Sequence, residues 1–272
     1  MSDAIGTIDH LVIAVPGLDA AAERYRQMGF CLSPRGVHSA VLGTENHTIM
    51  LRQNDYFELL AVRISTDRNA RWRHSIAEGG GLAGIAMTTT DAHAAHAIWQ
   101  ERRFAPEPPL KFARPVVCAD GRKLEARFEV VSLPDVAETA LRIFVCSQPT
   151  REAVWLPELL DHANGALGIR RITIDCPDPL ASAAQWQKVL PDVRSRPGTG
   201  ATILDTGRHE IVLRPAGTAN ARATGIDFVV ADIAACGAHL SRMSVPHLAT
   251  TGRIEIGPDF ACNVNIGFEA AS

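Results

Sequence analysis

The chain has 272 residues, 46% of them hydrophobic, and its 27 basic and 30 acidic side chains leave a formal net charge of -3. With no basic stripe or polybasic tail, nucleic acid and anionic membranes are excluded as expected partners. No apolar run approaches the roughly 18 residues that a membrane span needs. The first strand is reached without a charged leader, and the six cysteines (Cys31, Cys118, Cys146, Cys176, Cys236 and Cys262) show no close pairing. The expectation is an untargeted cytoplasmic protein with reduced thiols.

Four segments begin alike, with an apolar or β-branched strand, an Asp or Pro, and an Ala-rich amphipathic helix. Their strands lie at residues 9–15, 84–88, 171–175 and 226–230. Such units are too small to close a core singly, so they must pair. In the first unit Leu18, Ala21, Ala22 and Tyr25 recur at i, i+3, i+4 and i+7, which predicts a helix closed at Gly29. Strands are predicted at Val37 to Leu42, His47 to Leu51 and Tyr56 to Val62. Gly79-Gly80-Gly81 precedes a strand and reads as a linker.

The second unit carries a helix from about Asp91 to Arg103. Strands follow near Leu110 to Val117, Leu124 to Leu133 and Ala140 to Cys146, with a turn at Ala119-Asp120-Gly121. The segment from Gln148 to Gly168 breaks the rhythm and reads as a connector, helix-like over Glu152 to Leu160. In the last two units, helices at Leu180 to Leu190 and Asp232 to Met243 each precede two strands. Those strands lie at Ala201 to Leu204 and His209 to Leu213, then near Arg253 to Ile256 and Asn263 to Phe268.

A tandem β-α-β-β-β chain opening with Ile8-Asp9-His10-Leu11-Val12-Ile13-Ala14-Val15 and Leu18-Asp19-Ala20-Ala21-Ala22 resembles the vicinal oxygen chelate superfamily. Within it, Gly36-Val37-His38, Leu42-Gly43-Thr44-Glu45-Asn46-His47, Tyr56-Phe57-Glu58-Leu59 and His162-Ala163-Asn164-Gly165-Ala166 are similar to the glyoxalase-like domain proteins. The resemblance implies an α+β fold in which four tandem βαβββ units form two glyoxalase-type domains with curled mixed sheets. The expected domains are residues 1–150, carrying the site, and 166–272, a degenerate copy, joined by a connector at 151–165. A homodimer is expected. The superfamily includes isomerases, lyases, dioxygenases, thiol transferases and non-catalytic binding proteins, so the fold does not fix the reaction.

Alternation along the first strand puts His10, Val12 and Ala14 on one face, with Leu11, Ile13 and Val15 on the other. Glu58 shares a face with Tyr56 and Leu60. The resemblance makes His10 and Glu58 half of a metal set whose second half is missing, because Leu82 or Ala83 and Arg142 occupy the corresponding places. His38, expected on the second strand with Ala40 and Leu42, would complete a two-His, one-carboxylate set for Fe, Mn, Ni or Zn. Three readings stand: a metal site of His10, His38 and Glu58, a metal-free acid–base site in which Glu58 and His38 move protons, or the rim of a binding module.

His162 and Asn164 on the connector are candidates for contacting substrate, and Arg114 for holding its carboxylate. Asn46 and His47 read as hairpin-turn residues. No nucleophile signature competes: there is no G-x-S-x-G, no phosphate-binding loop and no Cys beside an evident base. The second domain, with Arg171 in place of the first-strand His, reads as a structural partner. The expected function is an enzyme acting on a small oxygenated organic substrate, such as a hydroxy- or oxo-acid or a catechol-like compound. The alternative is a non-catalytic protein that binds a small molecule.

Overall fold

The computed structural model describes residues 4–118, 121–133 and 141–271. The first module comprises β1 (Ile8–Ala14), α1 (Leu18–Gln27), β2 (Gly36–Val37), β3 (Thr44–Met50) and β4 (Tyr56–Val62). A 3-10 turn (Asp67–Asn69) and α2 (Ala70–Ala77) lead to β5 (Gly81–Thr88), α3 (Ala92–Glu101), β6 (Leu110–Val117), β7 (Lys123–Leu133) and β8 (Arg142–Ser147). Two further 3-10 turns (Arg151–Ala153 and Pro157–Leu159) precede β9 (Ala166–Cys176), α4 (Pro179–Val189), β10 (Arg194–Gly198), β11 (Ala201–Asp205) and β12 (Glu210–Pro215). The last module is β13 (Arg222–Val230), α5 (Ile233–Arg242), β14 (Leu248–Thr250), β15 (Arg253–Ile256) and β16 (Asn265–Ala270).

The order βαβββ therefore occurs four times. The strands form two curled, mixed eight-stranded sheets, ordered β2-β3-β4-β1-β5-β8-β7-β6 and β10-β11-β12-β9-β13-β16-β15-β14. β5 pairs parallel with β8, and β13 with β16. This is the α+β repeat architecture that the sequence predicts.

Close contacts group the chain into two compact units. The first holds residues up to Leu11, Gly84–Leu156 and Ile174–Arg222; the second holds Val12–Ala83, Pro157–Thr173 and the residues from Ala223 on. In the first unit the N-terminus of α3 is capped by Asp91 and that of α4 by Asp178, each carboxylate accepting two backbone N–H groups. These caps satisfy donors that a helix start leaves unpaired. Trp99 of α3 is fully buried and its indole N–H donates to the Val189 carbonyl at 3.0 Å.

In the second unit α1 buries Leu18, Ala21, Ala22 and Tyr25, the stripe its spacing predicts. Phe30, Phe57, Phe228 and Phe268 form the unit's aromatic centre, with Phe30 and Phe228 each 5.2 Å from Phe57. Gly79, Gly80 and Gly81 all have positive φ. A Cβ on Gly80 would stand 2.5 Å from the Ala14 carbonyl oxygen, so the approach to β5 requires glycine there.

Several expected elements differ. The predicted strand from Val37 to Leu42 is only the two-residue β2; His38 lies beyond it, and residues 40–42 form a turn. Gly43 at φ +65° closes that turn with an N–H bond to the Ser39 carbonyl, while Asn69 holds the Leu42 carbonyl. His38 is therefore not on a strand face with Ala40 and Leu42. Asn46 and His47 are β3 residues and not turn residues. The helix expected over Glu152 to Leu160 is two separate 3-10 turns, because Pro157 lacks the N–H and disfavours helical backbone at Leu156. The predicted turn residues Ala119 and Asp120, and Ala140, lie outside the described residues.

Candidate functional site

In the first unit, β1 brings Asp9 and His10 into a buried polar group with residues at the end of β8 and just after it. His10 is 4% exposed and Asp9 2%. The imidazole Nδ1–H donates to Asp9 Oδ2 at 2.7 Å, and the Gln148 amide donates to the same oxygen at 2.8 Å. Gln148 is held in turn by the Trp155 indole N–H at 3.1 Å, and the Arg151 guanidinium lies 4.2 Å over the Trp155 ring. The His10 ring stands edge-on to Phe144, centroids 5.3 Å apart.

A carboxylate can only accept, so this bond places a proton on Nδ1 and orients the ring. Period-two alternation sends Asp9 and His10 to opposite faces, so it does not forecast their bond. Cys146, two residues beyond Phe144 on β8, is one of the residues that sequence reasoning missed. The ligand-type atoms of Asp9, His10 and Cys146 lie within 4.8 Å of one another. Only the fold brings together residues 136 positions apart, counted from 10 to 146. Carboxylate, imidazole and thiol form a donor set that suits zinc or iron, the carboxylate here acting on the imidazole. The group offers an imidazole and a thiol as ligands and a carboxylate that orients the ring, side-chain types suited to such an ion.

Arg114 also belongs to the first unit. It is half-buried on β6 opposite Ala126, on the face where Phe112 and Phe128 stack with centroids 5.1 Å apart. Arg127, paired with Ala113, lies on the opposite face and bonds Glu125 at 2.6 Å.

The other expected site residues lie in the second unit. Register pairs Thr48 with Glu58 and Asn46 with Leu60, so Asn46, Thr48 and Met50 share one sheet face with Tyr56, Glu58 and Leu60. Asn46 donates its amide N–H to Glu58 Oε2. Both are buried, Asn46 at 3% exposure and Glu58 at 8%. His38 Nδ1 lies 2.7 Å from the Thr44 hydroxyl. His47 donates from Nδ1 to the Ser33 carbonyl at 2.7 Å, and burial lowers its pKa.

His162 accepts the Cys31 N–H at Nδ1 (2.9 Å) and donates from Nε2 to the Met50 carbonyl (2.9 Å); burial lowers its pKa too. Asn164 gives its amide to the Met28 carbonyl at 2.9 Å and accepts the Ala166 N–H at 3.0 Å. Both connector residues thus bind backbone from each end of their side chains. By compact unit, His10 groups with the first and His38 and Glu58 with the second.

Where the first-strand His is replaced, Arg171 donates from Nη1 to Asp227 and Glu269, both at 3.0 Å. Arg253 reaches Asp227 at 2.7 Å and Glu269 at 2.5 Å. Burial acts against the Arg253 charge, yet its bonds to Asp227 and Glu255 outweigh that and hold its pKa above the ordinary value. This face of the second sheet pairs its charges internally.

The family described as "Glyoxalase-like domain" matches residues 8–190, more than half of the chain. No curated protein sequence matches. Among solved structures, a hypothetical protein from Staphylococcus aureus is similar with TM-score 0.73 at 14% identity, over 97% of this chain and 99% of that one. A xylose isomerase-like TIM barrel/4-hydroxyphenylpyruvate dioxygenase fusion protein is similar with TM-score 0.68 at 15% identity, over 99% of this chain but 49% of that one. A triple mutant of 4-hydroxymandelate synthase from Streptomyces coelicolor is similar with TM-score 0.61 at 12% identity, over 98% and 93%. At these identities the likeness concerns the fold alone.

Proposed function

We propose a function from one premise: the chain belongs to the glyoxalase-like domain family, within the vicinal oxygen chelate superfamily. It is an enzyme of lyase, isomerase or dioxygenase type acting on a small oxygenated organic substrate, and His10 is its central functional group. The observation that carries this reading is the buried Asp9–His10 pair, backed by Gln148 and set beside Cys146. A carboxylate and an imidazole are costly to bury, and such groups cluster at functional sites.

His10 Nε2 and Cys146 Sγ would hold a divalent metal, with Asp9 as the outer partner that orients the ring. Such an ion supplies Lewis acidity toward a substrate oxygen. Asp9 engages Nδ1, so Nε2 would be the nitrogen that meets metal or substrate. In the second unit, His38 and Glu58 are proposed for the same chemistry as ligand or base, with Glu58 able to take a proton from carbon or oxygen. Arg114 is proposed to hold a substrate carboxylate; His162 and Asn164 would act through the segment they fasten.

The other reading is a binding protein of the same fold that holds its ligand without turnover. The self-paired charges of Arg171, Arg253, Asp227 and Glu269 favour it, since they leave that face no free ligand set among the described residues. Incubating zinc- or iron-supplemented protein with hydroxy-acids, oxo-acids and catechols tests the choice. Turnover that disappears in His10→Ala supports the enzyme; saturable binding with no turnover under any metal supports the module.

A further inference from the structure

We infer that Asn46 selects ligands by their hydroxyl groups, its side-chain carbonyl accepting a ligand O–H beside the Glu58 carboxylate. This deepens the proposed function by naming the chemistry of the ligand end that this face recognises.

The β3–β4 register sets the geometry: Asn46 lies diagonally across from Glu58 on one sheet face. Its amide orientation is then forced. Turning Oδ1 toward a carboxylate would oppose two acceptors, so Nδ2 faces Glu58, as the bond between them shows. Oδ1 must point the other way. There it is buried and has no hydrogen-bond partner among the described residues. Buried polar atoms are almost always paired, and one left alone is costly enough to call for an explanation. A folded-state partner would have used this oxygen; none of the described residues does.

What could satisfy it is limited by its neighbours. Asn46 Oδ1 and the Glu58 carboxylate are both acceptors, and the same face carries the buried side chains of Met50, Leu60, Thr48 and Tyr56. A ligand carboxylate or phosphate would meet repulsion there. A neutral hydroxyl brings a donor, and it costs less to remove from water than an ammonium does. The chemical class that fits is therefore an apolar body carrying a hydroxyl, or two adjacent ones able to donate to Asn46 and Glu58 together.

Four probes sharing one body separate the alternatives: cyclohexanol, methoxycyclohexane, cyclohexanecarboxylate and cyclohexylammonium, titrated into the full chain by NMR. Cyclohexanol is expected to bind at least about tenfold more tightly than its methyl ether, because a site built to pair with a hydroxyl rejects the analogue lacking it. In Asn46→Leu, close in size and without polar atoms, that ratio is expected to fall to about one. Equal binding of alcohol and ether by the natural chain, a preference for the carboxylate or ammonium probe, or an unchanged ratio in Asn46→Leu would each overturn the inference. If Asn46→Leu does not fold, crystals of the natural chain soaked with cyclohexanol decide it. The alcohol oxygen on Asn46 Oδ1 supports the inference, and an ordered water there with the alcohol elsewhere defeats it. None of these readouts needs turnover or metal, so an inactive, metal-free protein that still prefers the alcohol would refute the enzyme and leave this inference standing.

Discussion

At the scale of single residues, the first-unit site depends on a hydrogen-bond chain from Trp155 through Gln148 to Asp9 and His10. Partners that orient a metal-binding imidazole typically contribute about 10–100-fold to metal affinity or activity. Asp9→Ala is expected to lose that much in zinc affinity, measured by competition with a chromogenic chelator, and Gln148→Ala less, since it only braces Asp9. His47 and His162 supply a second residue-scale test. Burial lowers both pKa values, so near neutrality the unfolded chain binds more protons at these rings than the folded one. Stability is complete above the ordinary imidazole value of about 6.5, falls as pH drops below it, and levels off under the lowered folded values. Urea melts at about pH 7.5 and about pH 5.5 should show this loss, and it should shrink in a His47→Gln, His162→Gln double variant. Burial also pushes the Cys236 thiol up to about 12, so it should be labelled far more slowly than the half-buried Cys31. Strand alternation singled out His10 and Glu58 as candidates, and both side chains are buried. The sequence hid Cys146, Gln148 and Asn46, because their partners are fixed by register and by chain returning from far away.

At the scale of elements, legibility followed amphipathic pattern. The strands Leu110–Val117, Tyr56–Val62 and Arg253–Ile256 fall where apolar alternation or β-branched runs placed them. The strands β10 and β14 escaped because they are exposed sheet edges, with Arg, Pro and Gly in one and only three residues in the other. An edge strand with no buried face carries no hydrophobic period to read. Helix α2 escaped because Trp72 is its one buried side chain. Two substitutions test how these elements are held. Gly267 pairs with Asp227 across β13 and β16, and a Cβ there would stand 2.1 Å from the Asp227 carboxylate and 2.6 Å from the Arg253 guanidinium. Gly267→Ala is therefore expected to cost about 1–3 kcal/mol by displacing that ion pair, read as a lower urea midpoint. Asp232 caps α5 with two accepted N–H bonds, and Asp232→Ala should cost about 1 kcal/mol by the same measurement. An unchanged midpoint in either variant would show that the contact is not stabilising.

At the scale of the whole molecule, the repeat made four βαβββ modules legible, and their strands form two eight-stranded sheets. Residues up to Leu11 group with Gly84–Leu156 and Ile174–Arg222, so neither compact unit is continuous in sequence. No described helix is long and apolar enough to cross a membrane. In the proposed function, His10, held by Asp9, binds the metal through which the protein handles an oxygenated substrate. Elemental mass spectrometry of the purified full chain, compared with His10→Ala, tests it most directly. About one zinc or iron per chain is expected in the natural protein, with loss of that ion in His10→Ala. A natural chain that takes up neither ion when supplied, or a His10→Ala variant that keeps its metal, would contradict it.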